Sequence, residues 1–277
     1  MKKRNHNILI YDDYCPLCSW YSGLFVKYGF LSANGRKAFS VLEPEILSKI
    51  DFQKGKNEIP LMDPATGKVL YGIDALLEIL NTKIPFIKSI GNLRPVKWFL
   101  KKLYKLISYN RKVIVAQKCN TGIIDCAPDF NYIYRFLFMA ICLVFNSIML
   151  VPFHNLILSK LSYYHPTNLQ FQIAHLSFVA VNCLLSAICF SKPKAFEFLG
   201  QVNMLALTVI LLLIPLMLIH KIGFNQLLTT VYLVATTLFI FKEYKRRMSY
   251  AGIIPKNKWM IGFNFLCLAG FLAFLFH

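Results

Sequence analysis

Two cysteines separated by Pro16 and Leu17, namely Cys15 and Cys18, are the residues of this chain best suited to chemistry. A Cys-x-x-Cys pair either carries out dithiol exchange or supplies half of a zinc site. Structural zinc takes four ligands. The other cysteines outside apolar stretches are Cys119 and Cys126, with six residues between them, so redox chemistry fits the spacing better than zinc. At the start of a helix, unpaired amide N–H groups and the helix dipole favour a thiolate at Cys15. That thiolate would attack a disulfide, and Cys18, one turn on, would resolve the mixed disulfide. Such chemistry calls for no cofactor and no metal.

Asp12 and Asp13 stand immediately before the pair. A carboxylate there can raise a thiol pKa or accept the proton of the resolving cysteine; the simpler role is to end a strand or cap a helix. Pro60, in Ile59-Pro60, opens a β-rich run where proline is normally unfavourable. It stands either as a cis-proline beside the thiols, with neighbouring backbone for an extended substrate to pair with, or as an ordinary edge-strand proline.

The elements that must position these residues are readable up to about residue 80. Asn7–Asp12 predicts a first strand. Apolar residues at helical spacing (Leu17, Trp20, Tyr21, Leu24, Phe25, Tyr28) predict a helix opened by Pro16. Lys37–Leu42 predicts a second strand and Pro44–Ile50 a short helix. Glu58–Asp63 and Lys68–Tyr71 predict two strands joined by the turn Pro64-Ala-Thr-Gly67, and Ile73–Leu80 a third helix. A helix between the first two strands makes them parallel, and the tight turn makes an antiparallel hairpin. The expected fold of 1–83 is therefore an α/β thioredoxin-like redox domain.

Asp12-x-x-Cys15-Pro-Leu-Cys18, Gly72-Ile-Asp74-Ala-Leu76 and Tyr104-x-x-Ile107-x-x-Asn110-Arg111 resemble the DCC family of predicted thiol-disulfide oxidoreductases over about residues 7–115. The resemblance implies a thioredoxin-like fold with a redox-active pair at Cys15 and Cys18. Members typically have glycine after the first aspartate, where this chain has Asp13 and hence an added negative charge.

Charged residues make up 16 % of the chain and hydrophobic residues 56 %, against about 25 % charged in soluble domains. Before Tyr132 there are 20 Lys and Arg against 11 Asp and Glu; after it there are 11 against two, Glu197 and Glu243. The basic residues flank apolar stretches, a pattern of membrane orientation and anionic lipid rather than of nucleic acid. The early apolar run Ile8–Tyr11 is too short for a signal-peptide core, so no cleaved signal is expected.

Five apolar stretches, near 133–152, 171–191, 199–219, 225–241 and 259–276, approach the roughly 20 residues that cross a bilayer core of about 30 Å. The expected architecture of 132–277 is thus an all-α transmembrane bundle of about five spans. Lys192, Lys194, Lys242, Lys245, Arg246, Arg247, Lys256 and Lys258 fall in loops on one side, against Lys160 and Lys221 on the other. This asymmetry places the N-terminal domain in the cytoplasm and the C-terminus across the inner cell membrane. Asn146, His175, Asn182, Gln201, Asn203 and Asn264 are expected to bond between helices; His175 is the one among them that can titrate or bind metal.

Residues 84–131 read as a basic amphipathic linker. In Arg94 to about Lys112, Val96, Phe99, Leu100, Leu103 and Ile107 line one face, and Lys97, Lys101, Lys102 and Lys105 another. Such a helix either lies among headgroups with its lysines toward anionic lipid or packs on the domain's sheet with its charged face in water. Cys119 and Cys126 are an exchange partner for Cys15 and Cys18, or unrelated buried thiols. Cys142, Cys183, Cys189 and Cys267 are a relay across the bilayer, or small hydrophobes.

These readings converge on a membrane-anchored thiol-disulfide oxidoreductase acting on a protein or low-molecular-weight disulfide at the cytoplasmic face. Two other functions fit the same residues: a transmembrane electron or solute carrier with an accessory redox module, and a non-catalytic thioredoxin-like binding module.

Overall fold

A computed structural model describes residues 7–116, 128–161, 166–221, 223, 225–254 and 259–276. The chain divides into two compact units, Met1–Arg135 and Phe136–His277. Lys256, Lys258 and the pair Cys119 and Cys126 lie outside the described residues.

In the first unit, β1 (Ile8–Tyr11), β2 (Arg36–Ala38), β3 (Pro60–Met62) and β4 (Val69–Tyr71) form a mixed sheet in the order β2-β1-β3-β4. The helix α1 (Pro16–Lys27) makes the crossover from β1 to β2, which pair in parallel; β3 runs antiparallel to both β1 and β4. Alternation of side chains along central strands gives the sheet two buried faces. Leu9 and Leu61, directly opposite each other, join Ala75 and Ile79 on one face. Ile10 and Met62 join Phe39 and Ile50 on the other.

The first face is covered by α1 and by α4 (Gly72–Leu80), and the second by α2 (Pro44–Ser48), α3 (Phe52–Gly55) and a 3-10 turn at Phe39–Val41. The second strand is shorter than expected: after Ala38 the chain turns so that Phe39 enters the core. The turn between β3 and β4 is held by Asp63. Its carboxylate accepts from the Ala65 amide at 3.0 Å and the Thr66 hydroxyl at 2.9 Å, and Gly67 takes a left-handed φ of 68°.

The region expected to be a linker forms α5 (Ile87–Gly91) and α6 (Arg94–Ile114), both within the first unit. Unlike a helix packed on a soluble core, α6 turns an apolar stripe outward. Lys97 lies 2.7 Å and Lys101 4.0 Å from Asp74, and Lys105 lies 3.6 Å from Glu58. Meanwhile Phe99, Leu103 and Ile107 are exposed. Asp74 on α4 and Glu58, just before β3, therefore face three of the four lysines, of which Lys97 and Lys105 are half-buried and Lys101 is exposed. The lysine face thus meets carboxylates of its own unit, while Lys101 and Lys102 stay exposed.

The second unit is helical. Among the described residues, four helical stretches are long and apolar enough to cross a membrane: Tyr132–Leu161, Asn168–Cys189, Lys192–His220 and Gln226–Tyr250. The chain is accordingly a membrane protein. The first stretch is α7 (Tyr132–Phe153), which contains Pro152, followed by a π-helical turn at His154–Leu158 and by α8 (Ser159–Leu161). Then come α9 (Asn168–Cys189), α10 (Lys192–His220) and α11 (Gln226–Tyr250). The fifth expected stretch is α12 (Trp259–Phe276), an 18-residue helix.

Polar side chains join these helices. Asn203 donates to the Met139 carbonyl (3.1 Å), Gln172 to that of Ser147 (2.6 Å) and Asn264 to the Tyr244 hydroxyl (3.0 Å). His175 lies 3.4 Å from the Ser147 hydroxyl, and Asn182 bonds within its own helix to Phe178. Lys242, Lys245, Arg246 and Arg247, expected in a loop, occupy the last turns of α11. Glu243 explains the extension: it pairs with Arg246 at 2.6 Å and Arg247 at 2.8 Å, spacings that bring side chains together only on a helix.

Candidate functional site

Cys15 is the N-cap of α1, and Pro16 occupies the first helical position. Its carbonyl accepts the Ser19 amide at 2.9 Å, while its own amide donates to the Asp12 carbonyl at 3.2 Å. A tight turn thus carries the chain from β1 straight into the helix. The Asp12 carboxylate accepts the Tyr14 amide at 3.1 Å, fixing that turn. Asp13 is directed elsewhere and accepts from the Ser40 hydroxyl at 2.7 Å.

One carboxylate oxygen of Asp12 and the sulfurs of Cys15 and Cys18 lie within 4.8 Å of one another, all three residues buried. Cys15 keeps 8 % of its surface, against 3 % for Cys18. A hollow in front of Cys15 is bordered by Asp12, Tyr14, Pro16, Arg111, Lys112 and Pro128. The residue of the pair that borders the hollow is therefore the one at the helix start.

The electrostatics separate the two thiols. The Cys18 thiol donates to the Cys15 sulfur, which lowers the Cys15 pKa to about 7 against the opposition of burial. The Cys18 amide and the Arg111 charge act in the same direction, and the Asp12 charge against. Cys18 is pushed far up, first by holding its proton on Cys15 and then by burial. Near neutral pH the outer sulfur is substantially thiolate and the inner one thiol.

Arg111 is the residue that sequence reasoning did not assign to this site. Its guanidinium lies 3.2 Å from the Asp12 carboxylate, with both side chains buried. Burial alone would lower the Arg111 pKa, but the charges at Cys18, Asp12 and Cys15 raise it. Burial likewise raises Asp12, with Arg111 opposing. A signal for Arg111 was present in Tyr104-x-x-Ile107-x-x-Asn110-Arg111, because residues seven apart lie on one helix face. Tyr104 accordingly packs at the same core and accepts the Ile59 amide at 2.8 Å.

Pro60 is buried at the start of β3, one residue beyond the Leu61–Leu9 pair and hence at the sheet end where β1 leads into the thiol turn. The backbone beside it is not open to an extended substrate as expected. The Ile59 amide is taken by Tyr104, and its carbonyl accepts the Gly72 amide at 3.0 Å. Pro60 is also not at a sheet edge, since β3 lies between β1 and β4. The structure therefore brings Asp12, Cys15 and Cys18 together and gives Pro60 a neighbouring structural position.

Asp12, Cys15 and Cys18 are also the residues able to grip a thiophilic ion. They supply three of the four ligands of a structural zinc site, and Arg111 already bonds one Asp12 oxygen. In the second unit, Cys142 lies on α7, Cys183 and Cys189 on α9, and Cys267 on α12, all as free thiols. Comparison with protein-family models, with curated proteins and with solved structures finds no match to this chain.

Proposed function

We propose that the first unit is a thioredoxin-like thiol-disulfide oxidoreductase of the DCC type, anchored by the helical unit. The observation that carries this reading is two sulfurs and a carboxylate oxygen gathered within 4.8 Å at the start of a helix, where the hydrogen bond from Cys18 favours a thiolate at Cys15. The Cys15 thiolate attacks one sulfur of a substrate disulfide. That S–S bond breaks, the departing sulfur leaves as a thiolate, and a mixed disulfide forms on Cys15. Cys18 then loses its proton and attacks the Cys15 sulfur. The substrate's second thiolate is released, and two electrons have passed from the Cys15–Cys18 dithiol to the substrate. An external thiol donor restores the dithiol. Asp12, close to both sulfurs and with a raised pKa, is the acceptor for the Cys18 proton.

The basic residues that flank the apolar stretches of the second unit favour a cytoplasmic location for the first, a reducing compartment in which substrate reduction is the favoured direction. The test is trapping in membranes with a Cys18→Ser variant. Accumulation of mixed disulfides through Cys15, lost in Cys15→Ser, is the expected result. Absence of adducts, together with Cys15 alkylation at neutral pH no faster than that of an ordinary thiol, overturns the reading.

A further inference from the structure

We propose that the outward face of α6 is seated in the headgroup layer of the bilayer that the helices of this chain cross. This goes beyond the redox reading and does not depend on it. An amphipathic helix on a water-facing domain turns its apolar stripe inward and its charges outward. In α6 an apolar stripe faces outward instead. Lys97 and Lys105 turn to Asp74 and Glu58, and exposed Lys101 lies 4.0 Å from Asp74. Trp98, Phe99, Leu103 and Ile107 are 65 %, 58 %, 40 % and 46 % exposed.

In the segment leading into the helix, Phe86, Ile90 and Leu93 are exposed as well. Large apolar side chains exposed in such number along one stretch of chain are rare in contact with water and mark a partner or a membrane.

Two further observations select the membrane. First, the C-terminal end of α6 is bonded to the start of the first candidate span. Asn110 donates to the Tyr134 carbonyl at 3.0 Å, and the rings of Tyr109 and Tyr134 stack at 5.2 Å. Tyr132 and Tyr134 open that span, and tyrosine and tryptophan concentrate at the level where a span leaves the hydrocarbon. The C-terminal end of α6 is therefore tied to the residues that open the span. Second, the composition is that of an interfacial helix: α6 contains no acidic residue, and exposed Arg94 and Lys102 accompany its tryptophan and phenylalanine.

The experiment uses the full-length chain in phosphatidylcholine–phosphatidylglycerol vesicles. Trp20→Phe with Trp259→Phe leaves Trp98 as the only tryptophan, and Trp98→Phe with Trp259→Phe leaves Trp20, which is exposed on α1. With acyl chains brominated near the headgroup, Trp98 should lose most of its emission and resist acrylamide. Trp20 should do the opposite. Ready quenching of Trp98 by acrylamide without quenching by bromolipid would put α6 in water. Resistance to both quenchers would mean that protein covers it. Either result overturns the proposal.

Discussion

Each unit of this molecule buries an arginine against a carboxylate, and the two pairs serve different ends. In the first, Arg111 meets Asp12 beside two sulfurs. In the second, Arg247 lies 2.8 Å from Glu243 and donates to Gln201 at 2.9 Å, and Gln201 donates to Glu197 at 2.8 Å. That network gathers both acidic residues found after Tyr132 and joins them through Arg247 and the Gln201 amide. A buried ion pair is therefore no mark of chemistry by itself. Its meaning lies in what it faces: a thiol whose ionisation it biases, or a neighbouring helix that it ties down.

The contrast can be broken most decisively at the sulfurs. Cys15→Ser should abolish disulfide reduction by the full-length protein while leaving its thermal unfolding near that of the parent, measured by turnover and by melting in detergent. Next in size, Arg247→Ala should cost about 1–3 kcal/mol, because buried Gln201 loses the donor to its amide oxygen while Glu243 keeps Arg246; unfolding of the purified protein checks this, and redox turnover at tolerated temperatures should be unchanged.

Arg111→Gln should act chiefly on ionisation. Cys15 titrates near 7, below the ordinary thiol value, so its alkylation rate should climb through that pH. A group whose folded pKa is lowered adds stability at high pH that is lost as pH falls through the folded value. Removing the Arg111 cation should move both the alkylation midpoint and Cys15's share of that loss upward, with alkylation at pH 6 several-fold slower.

Asp12→Asn should split the two half-reactions. With an opposing charge gone, Cys15 alkylation at pH 6 rises modestly, whereas release of product from the mixed disulfide slows for want of a proton acceptor; stopped-flow single turnovers separate the two. At the bottom of the scale is an exposed pair, Glu45 with Lys49 at 3.1 Å. Glu45→Gln should change stability by no more than about 0.5 kcal/mol and reactivity not at all. A larger effect there would show that proximity of charge, rather than burial, governs these pairs.

Features set by neighbouring residues were legible from the chain alone. The β1–turn–α1 entrance to Cys15, the Pro64–Gly67 turn and the apolar helices follow from local propensity, period and composition. The bounds of the second strand were not legible, because Phe39 leaves the strand to fill a core completed by Ile50 and Met62 from elsewhere. The expected loop after residue 241 failed for a similar reason, since ion pairs at three and four residues carry the helix on to Tyr250.

The sequence by itself determined that Cys15 opens a helix with Cys18 one turn on, that α6 is two-faced, and that the second half is apolar enough for a membrane. Only the tertiary structure decided which face of α6 turns inward, that Tyr104 closes the backbone before Pro60, and that Arg111 reaches Asp12 across 99 positions of chain. The physical reason is the range of the forces involved. Helix and turn preferences are settled within a few residues, whereas a buried charge takes its partner from whatever the folded chain brings within a few ångströms.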